Sequence, residues 1–412
     1  MTRPSSLVDP RPVRVDDGRG IVQPLPRGNH DARMLVLVVT LLVAFGTVMV
    51  ASASEGVAAT TGGSTWGLMV RDLVYLGFGA VGFYVVARVR LSYLVRRAPL
   101  VMTIALGLLA AVKAVGVSAN GGKRWLNLHI IDLQPSELFK FATVLFVAWI
   151  VERHRDEINR WGPLARWTLP IVAGAGLIVL EPDIGTSSVV VAIAFMMLAA
   201  AGLPARMLVR VALLGLVAFG GYMVYRPYSA RRFFSFLHPN QDLLGSGYQL
   251  LQSKIGLGAG GLTGLGLGHS REKWGLLPNP HTDFIFTIVG EELGLLGTVA
   301  VIALFVWFLF VAVRIAQRSS NGVYRVMVVG ITAWIMLEVI INVASVVGWW
   351  AVTGVPLPFF SYGGTALITE LAAIGLVYNI AHDHGRGPTP SRSPQDPPRS
   401  PGRGVATRGR TR

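Results

Sequence analysis

Residues 34–53 read MLVLVVTLLVAFGTVMVASA, twenty positions without a charge. A helix of that length rises about 30 Å, the thickness of a bilayer's hydrocarbon core. Comparable apolar runs follow near 68–87, 98–118, 135–151, 167–181, 185–202, 207–225, 284–313, 326–348 and 361–381, and the run from Phe284 is long enough to tilt or project beyond the bilayer. The 412 residues are 52% hydrophobic and only 14% charged, against about a quarter charged in a soluble domain. The expected fold class is therefore all-α, a polytopic integral membrane protein of about ten transmembrane helices, because helices satisfy their own backbone in lipid.

No small-residue cleavage site follows the first run, so residues 1–33 are expected to be a retained tail rather than a signal peptide. Ten spans put both termini on one side. Placing them in the cytoplasm gathers 26 of the 37 basic residues there, which the positive-inside rule favours. The expected location is the cytoplasmic (inner) membrane. The tails at 1–33 and 383–412, rich in Pro, Gly, Arg and Ser, cannot bury a core and are expected to be disordered. Between them lies one membrane domain, 34–382. Its longest connection, 226–282 between spans 7 and 8, falls on the extracytoplasmic side, and its aromatics Tyr228, Phe233, Phe234 and Tyr248 argue for packed structure. Two more segments on that side, ANGGKRWLNLHIIDLQPS at 119–136 and WWAVTGVPLPFFSYG at 349–363, mix aromatics with Gly or Pro as interfacial or re-entrant segments do. The net charge of +15 sits mainly in short loops and tails, so membrane lipids and not nucleic acid are the partners it implies. The absence of cysteine excludes disulfides and thiolate chemistry.

Ionisable groups in membrane spans are costly, which makes each a functional candidate. Glu137 and Lys140, three apart in QPSELFK, share a helix face; they form either a self-neutralising pair or a substrate-facing one. Glu181-Pro182-Asp183 occupies a short turn in which Asp183 can cap the next helix. Asp283 opens the helix FIFTIVGEELG, where capping competes with a chemical role, but it also lies where the long loop meets the bilayer. Glu291 and Glu292 fall about 12–14 Å further along that helix and need partners. The stretch GLGAGGLTGLGLG at 256–268 lacks a P-loop's Gly-Lys-Ser/Thr ending, so no nucleotide is expected; the glycines allow close backbone packing or simply a flexible loop. Arg124, Arg226, Arg231, Arg232, Lys254, Arg271 and Lys273 run against the positive-inside trend, and a phosphate or pyrophosphate ligand would explain them, with snorkelling to headgroups as the alternative.

The blocks KRWLNL (123–128), QPSELFK (134–140), EPDIGTSSVV (181–190), GSGYQLLQSKIGLGAGGLTGLGLG (245–268), LPNPHTDFIFTIVGEELGLLG (277–297) and TGVPLPFFSYGGT (353–365) together resemble the SEDS family of shape, elongation, division and sporulation proteins. The resemblance covers the whole membrane domain. It implies a membrane glycosyltransferase that polymerises peptidoglycan strands from lipid II. Glu181 before Pro-Asp and Gly290 before Glu-Glu look more like the division branch (FtsW-like) than the elongation branch (RodA-like). Ala351 and Asn279-Pro280 depart from the usual pattern, and no acid stands at 279. The resemblance further implies that Asp283 is the essential acid and that Glu137, Lys140 and Asp183 line a central cavity. His281 and Ser361, from the same blocks, join Arg124 and Lys254 as substrate-binding candidates. Arg124, Lys140, Lys254 or a divalent cation, Mg2+ or Mn2+, would offset charge on the departing pyrophosphate. The implied partners are a class B penicillin-binding transpeptidase and other division proteins. A lipid II flippase and a non-catalytic scaffold are the alternatives from other classes.

Overall fold

The apolar runs fold as helices. The computed structural model describes residues 27–61, 65–119, 122–127, 132–226, 230, 233–241 and 245–383. Most of both tails, with Tyr228, Arg231 and Arg232, lies outside the described residues. The helices are α1 (Arg27–Thr61), α2 (Thr65–Arg88), α3 (Leu91–Val115), α4 (Pro135–Arg153), α5 (Trp161–Leu180), α6 (Ile184–Ala200), α7 (Ala205–Tyr225), α8 (Ser246–Ala259), α9 (Ile285–Arg318), α10 (Gly322–Val347) and α11 (Thr365–Asp383). Eight of them are long and apolar enough to cross a membrane. Of the runs expected to span, α6 falls short in length at 17 residues, and α4 carries Glu137, Lys140, Glu152 and Arg153. Helix α8 lies within the 226–282 connection and buries Ser246, Leu250, Ser253 and Gly256.

Burial separates centre from periphery. The apolar windows of α10 and α11 are 67% and 72% buried, whereas those of α2 and α7 are 17% and 11% buried. Helix α7 turns Leu213, Leu216, Val217 and Val224 outward at 55–82% exposure. Such a patch is intolerable to water and natural to lipid. The turns collect at two ends. Where α1 begins, Asp31 pairs with Arg314 at 3.7 Å and with Arg318 near the end of α9, and Asn379 of α11 donates to the Val86 and Val89 carbonyls. The opposite end holds the described parts of the 119–136 segment and of the long connection, the Glu181–Asp183 turn and the 348–364 segment.

Two findings add detail to the helical fold expected from the sequence. The α3–α4 connection carries a three-stranded antiparallel sheet, β1 (Val117–Ala119), β2 (Gly122–Asn127) and β3 (Asp132–Leu133), in the order β1-β2-β3, with Val117 opposite Trp125 and Leu126 opposite Leu133. The molecule is thus mostly rather than entirely helical. In addition, the run from Phe284 is not one continuous helix, because Gly294 (φ 67°, ψ −162°) breaks α9. A break orphans backbone groups on both sides, and buried orphans are costly. The glycine-rich segment supplies their partners. Leu265 and Gly266 donate their N–H groups to the Glu291 and Glu292 carbonyls at 3.0 and 2.9 Å. In return, the Gly261 and Leu262 carbonyls accept from the Leu295 and Leu296 N–H groups at 2.9 and 3.2 Å. So close an approach requires glycine, since a Cβ on Gly260 would stand 1.9 Å from the Gly290 oxygen and one on Gly264 2.1 Å from the Glu292 oxygen. The stretch 256–268 is a close-packed backbone joint.

Candidate functional site

Asp283 sits at the end of the long connection, half-buried, two residues before α9 begins. Its backbone is held from α10: the Asn342 side-chain amide donates to the Asp283 carbonyl at 2.8 Å and to the Val355 carbonyl at 2.9 Å. The 348–364 segment closes the other side. A Cβ on Gly354 (φ +73°) would lie 3.3 Å from Asp283 Oδ2, so a glycine there lets the carboxylate stand against the backbone. The Ser361 hydroxyl donates to the Thr282 carbonyl at 2.7 Å and accepts from the Leu357 N–H at 2.8 Å, while the Tyr362 N–H donates to the His281 carbonyl at 2.9 Å. Ser361 and Tyr362 thus fix the chain at Thr282 and His281, just before Asp283. Burial lowers the pKa of His281, which favours the neutral ring.

The start of α6 abuts the same segment. A Cβ on Gly185 would meet Val355 at 2.6 Å and Thr353 at 3.0 Å. Asp183 caps α6 by accepting from the Thr186 N–H at 3.0 Å, so the capping role read from sequence is real. Its other oxygen lies 3.6 Å from Arg124, which reaches from β2 and also donates to the Glu181 and Pro182 carbonyls at 2.9 and 2.6 Å. Arg124 therefore clamps the turn that carries Asp183. Burial, aided by the Asp183 charge, pushes the Glu181 carboxyl up to about 8, against the opposing pull of Arg124 and Lys113.

Glu137 and Lys140 do pair, at 2.7 Å, and a second carboxylate that sequence reasoning missed, Glu338 of α10, also accepts from Lys140. The ammonium is 0% exposed and lies 5.0 Å from the Trp334 ring centre. Glu370 of α11 feels the charges of this group and accepts from the Phe359 N–H at 2.9 Å. The signal for both missed residues was available, because each is the only carboxylate in its apolar run.

Glu291 and Glu292 find their partners in the connection. Glu291 accepts from the Ser270 hydroxyl and from the Arg271 N–H at 2.8 Å, and Glu292 accepts from the Ser52 hydroxyl at 2.7 Å. Lys273, also 0% exposed, reaches Glu55 at 2.9 Å and Glu292 at 3.5 Å, tying the connection to α1. Burial and the Glu291 charge push Glu272 up to about 7. Lys254 is exposed, with its ammonium over Gly348 at the C-terminal end of α10. The structure thus brings Asp283, His281 and Ser361 together beside the Arg124–Asp183 clamp and places Glu137 and Lys140 in a buried cluster. Among the described residues no three His, Asp or Glu side chains are grouped to hold a metal ion.

Residues 32–385 match the sequence model of the cell cycle protein family that groups FtsW, RodA and SpoVE. The chain is 40% identical over 371 residues to the probable peptidoglycan glycosyltransferase FtsW of Methylococcus capsulatus, covering 88% of this chain and 93% of that protein. It is 36% identical over 351 residues to stage V sporulation protein E of Bacillus subtilis, covering 84% and 96%. Among solved structures it resembles a chain from a peptidoglycan synthase complex that coordinates polymerization and crosslinking (TM-score 0.71, 30% identity, 85% and 97% covered). It also resembles the rod shape determining protein RodA of Thermus thermophilus (TM-score 0.63, 29% identity, 85% and 96% covered). The chain is therefore a multi-span membrane protein that belongs to the FtsW, RodA and SpoVE family of cell cycle proteins.

Proposed function

We propose that this protein is a peptidoglycan glycosyltransferase that polymerises lipid II at the outer face of the cytoplasmic membrane, for septal synthesis in cell division. Relatives named FtsW support the division role. The observation that carries the site is Asp283, whose backbone carbonyl is held by Asn342 and whose carboxylate is given room by Gly354. In this reading the chain makes ten crossings, both termini are cytoplasmic, and the end bearing Asp283 faces outward. The lipid tails then stay in the bilayer while the sugars meet Asp283.

The 4-hydroxyl of a GlcNAc on one lipid II attacks the anomeric carbon of another chain. A carbon–oxygen bond forms to the hydroxyl oxygen, the bond to pyrophosphate breaks, and undecaprenyl pyrophosphate leaves with the electron pair. Asp283 accepts the hydroxyl proton, a contribution of about 10²–10⁴-fold. One displacement inverts the anomeric centre. Of the three cations considered for the leaving group, Arg124 is half-buried and Lys254 exposed, and these two are assigned to it; Lys140, enclosed by two carboxylates, holds the bundle instead. The described residues do not form a metal cage, and no step is assigned to a metal. A class B penicillin-binding transpeptidase is the proposed partner, in keeping with the synthase complex whose chain this one resembles.

The test is Asp283→Asn in purified protein, with and without the transpeptidase, given lipid II and assayed for glycan strands. Strand formation is expected to fall at least about 100-fold with the melting temperature unchanged. Full activity of this variant would overturn the assignment.

A further inference from the structure

Far from Asp283, toward the end where α3 and α5 begin, helices α3, α4 and α5 leave a cleft of about 290 Å³ between them. Met102, Leu106, Phe146, Trp149, Trp167 and Pro170 give it apolar walls. The rings are fixed on one another: Phe146 stacks on Trp149 at 5.4 Å, Trp149 meets Trp167 edge-on at 5.6 Å, and His154 stacks on Trp167 at 3.8 Å. The Trp167 N–H donates to Glu157 at 3.0 Å, which orients the indole. This aromatic wall is preformed.

Its surroundings face the bilayer. Leu100 and Ile104 of α3 and Leu169 and Val172 of α5 are 50–62% exposed. An apolar cleft on such a surface offers water no hydrogen-bond partners and takes an acyl chain instead. The mouth is positive. Arg166 lines it, and Arg96, Pro99, Thr103 and Leu106 recur at i, i+3, i+7 and i+10, which puts Arg96 on the cleft face of α3 one turn nearer the helix start. Both arginines are exposed. Arg166 stands about 7.5 Å from the start of α5, whereas Leu106 lies about 22 Å into α3, so the site runs from headgroup depth into the hydrocarbon.

We propose that this cleft binds an anionic phospholipid of the bilayer, with one acyl chain against Trp149 and Trp167 and the phosphate between Arg96 and Arg166. Guanidinium groups suit a phosphate because their donors match its oxygens, and basic pockets between membrane helices select anionic headgroups. Glu157, the carboxylate beside Arg166, is occupied by Trp167 and His154.

The full chain is reconstituted in phosphatidylcholine vesicles containing a minor fraction of phosphatidylglycerol or phosphatidylcholine brominated on its acyl chains, since bromine quenches tryptophan on contact. The signal of the cleft is the quenching lost in Trp149→Phe/Trp167→Phe. Brominated phosphatidylglycerol is expected to quench that signal at lower mole fraction than brominated phosphatidylcholine, by roughly fivefold per arginine, the equivalent of about 1 kcal/mol each. Arg96→Gln/Arg166→Gln should abolish the difference. Equal quenching by the two lipids, or a preference that survives loss of both arginines, would mean that the arginines merely snorkel and would overturn the proposal. If Arg96→Gln/Arg166→Gln does not fold, the comparison of the two lipids on the Trp149 and Trp167 signal still decides: equal quenching overturns the proposal.

Discussion

Replacing Gly264 by alanine places a methyl carbon 2.1 Å from the Glu292 carbonyl oxygen, on a residue whose φ is +81°. The left-handed conformation alone costs a residue with a side chain about 1–2 kcal/mol. Relieving the overlap means moving the segment away from α9, and strain of this kind costs about 1–3 kcal/mol more. The movement also breaks the bonds that bridge the gap at Gly294, of which those from Leu265 and Gly266 are nearest. Each buried group left unpaired adds about 1–3 kcal/mol. With two such groups, the lower ends of these ranges sum to about 4 kcal/mol, a large part of a typical folding free energy of about 5–15 kcal/mol. Gly258 lies in the same glycine run, but inside α8 with no atom near its Cβ position, so Gly258→Ala should gain about 0.5–1 kcal/mol through helix propensity. Both variants are melted in one detergent by intrinsic fluorescence. A flexible loop would treat the two alike. Equal shifts, or Gly264→Ala melting together with the unmutated protein, would refute the backbone joint.

Lys140→Met leaves Glu137 and Glu338 facing each other without their cation, and breaking a buried pair in this way should cost about 3–5 kcal/mol in chemical denaturation. Adding Glu338→Gln should recover part of that loss. Lys273→Met should likewise lower the melting temperature by parting the connection from α1, and Glu292→Gln in the same chain should soften the effect. For Glu181, the folded protein keeps a proton between the ordinary value of 4.5 and about 8 that the unfolded chain releases. Stability should therefore fall as pH rises through that window and level off above it, and melts of Glu181→Gln against the unmutated protein should show this component missing.

The helices were legible because lipid imposes a length and forbids charge, and runs such as 34–53 meet both conditions without help from the rest of the chain. The break in α9 was not, since glycine is ordinary in membrane helices and nothing in GEELGLLG marks Gly294 as left-handed. Its cause lies earlier in the chain, in the glycine-rich segment that supplies the missing partners. The sheet had a local sign: Asn120-Gly121-Gly122 is a hairpin signal, though one set among hydrophobic spans. Asp283 was singled out by its place at the junction of loop and helix, and its proposed role by the family resemblance. The Arg124–Asp183 contact links residues far apart in the chain, so only the fold could join them.

Glu338 shows what periodicity can still add once the fold is known. Trp334, Glu338 and Asn342 follow at four-residue intervals on α10 and therefore share one face. Trp334 lies against the Lys140 ammonium, Glu338 accepts from it, and Asn342 holds the carbonyls of Asp283 and Val355. The ion pair with α4 thus fixes the rotation of α10, and that rotation aims the amide that positions the proposed base. A charge group buried in the bundle can in this way set the geometry of the proposed base.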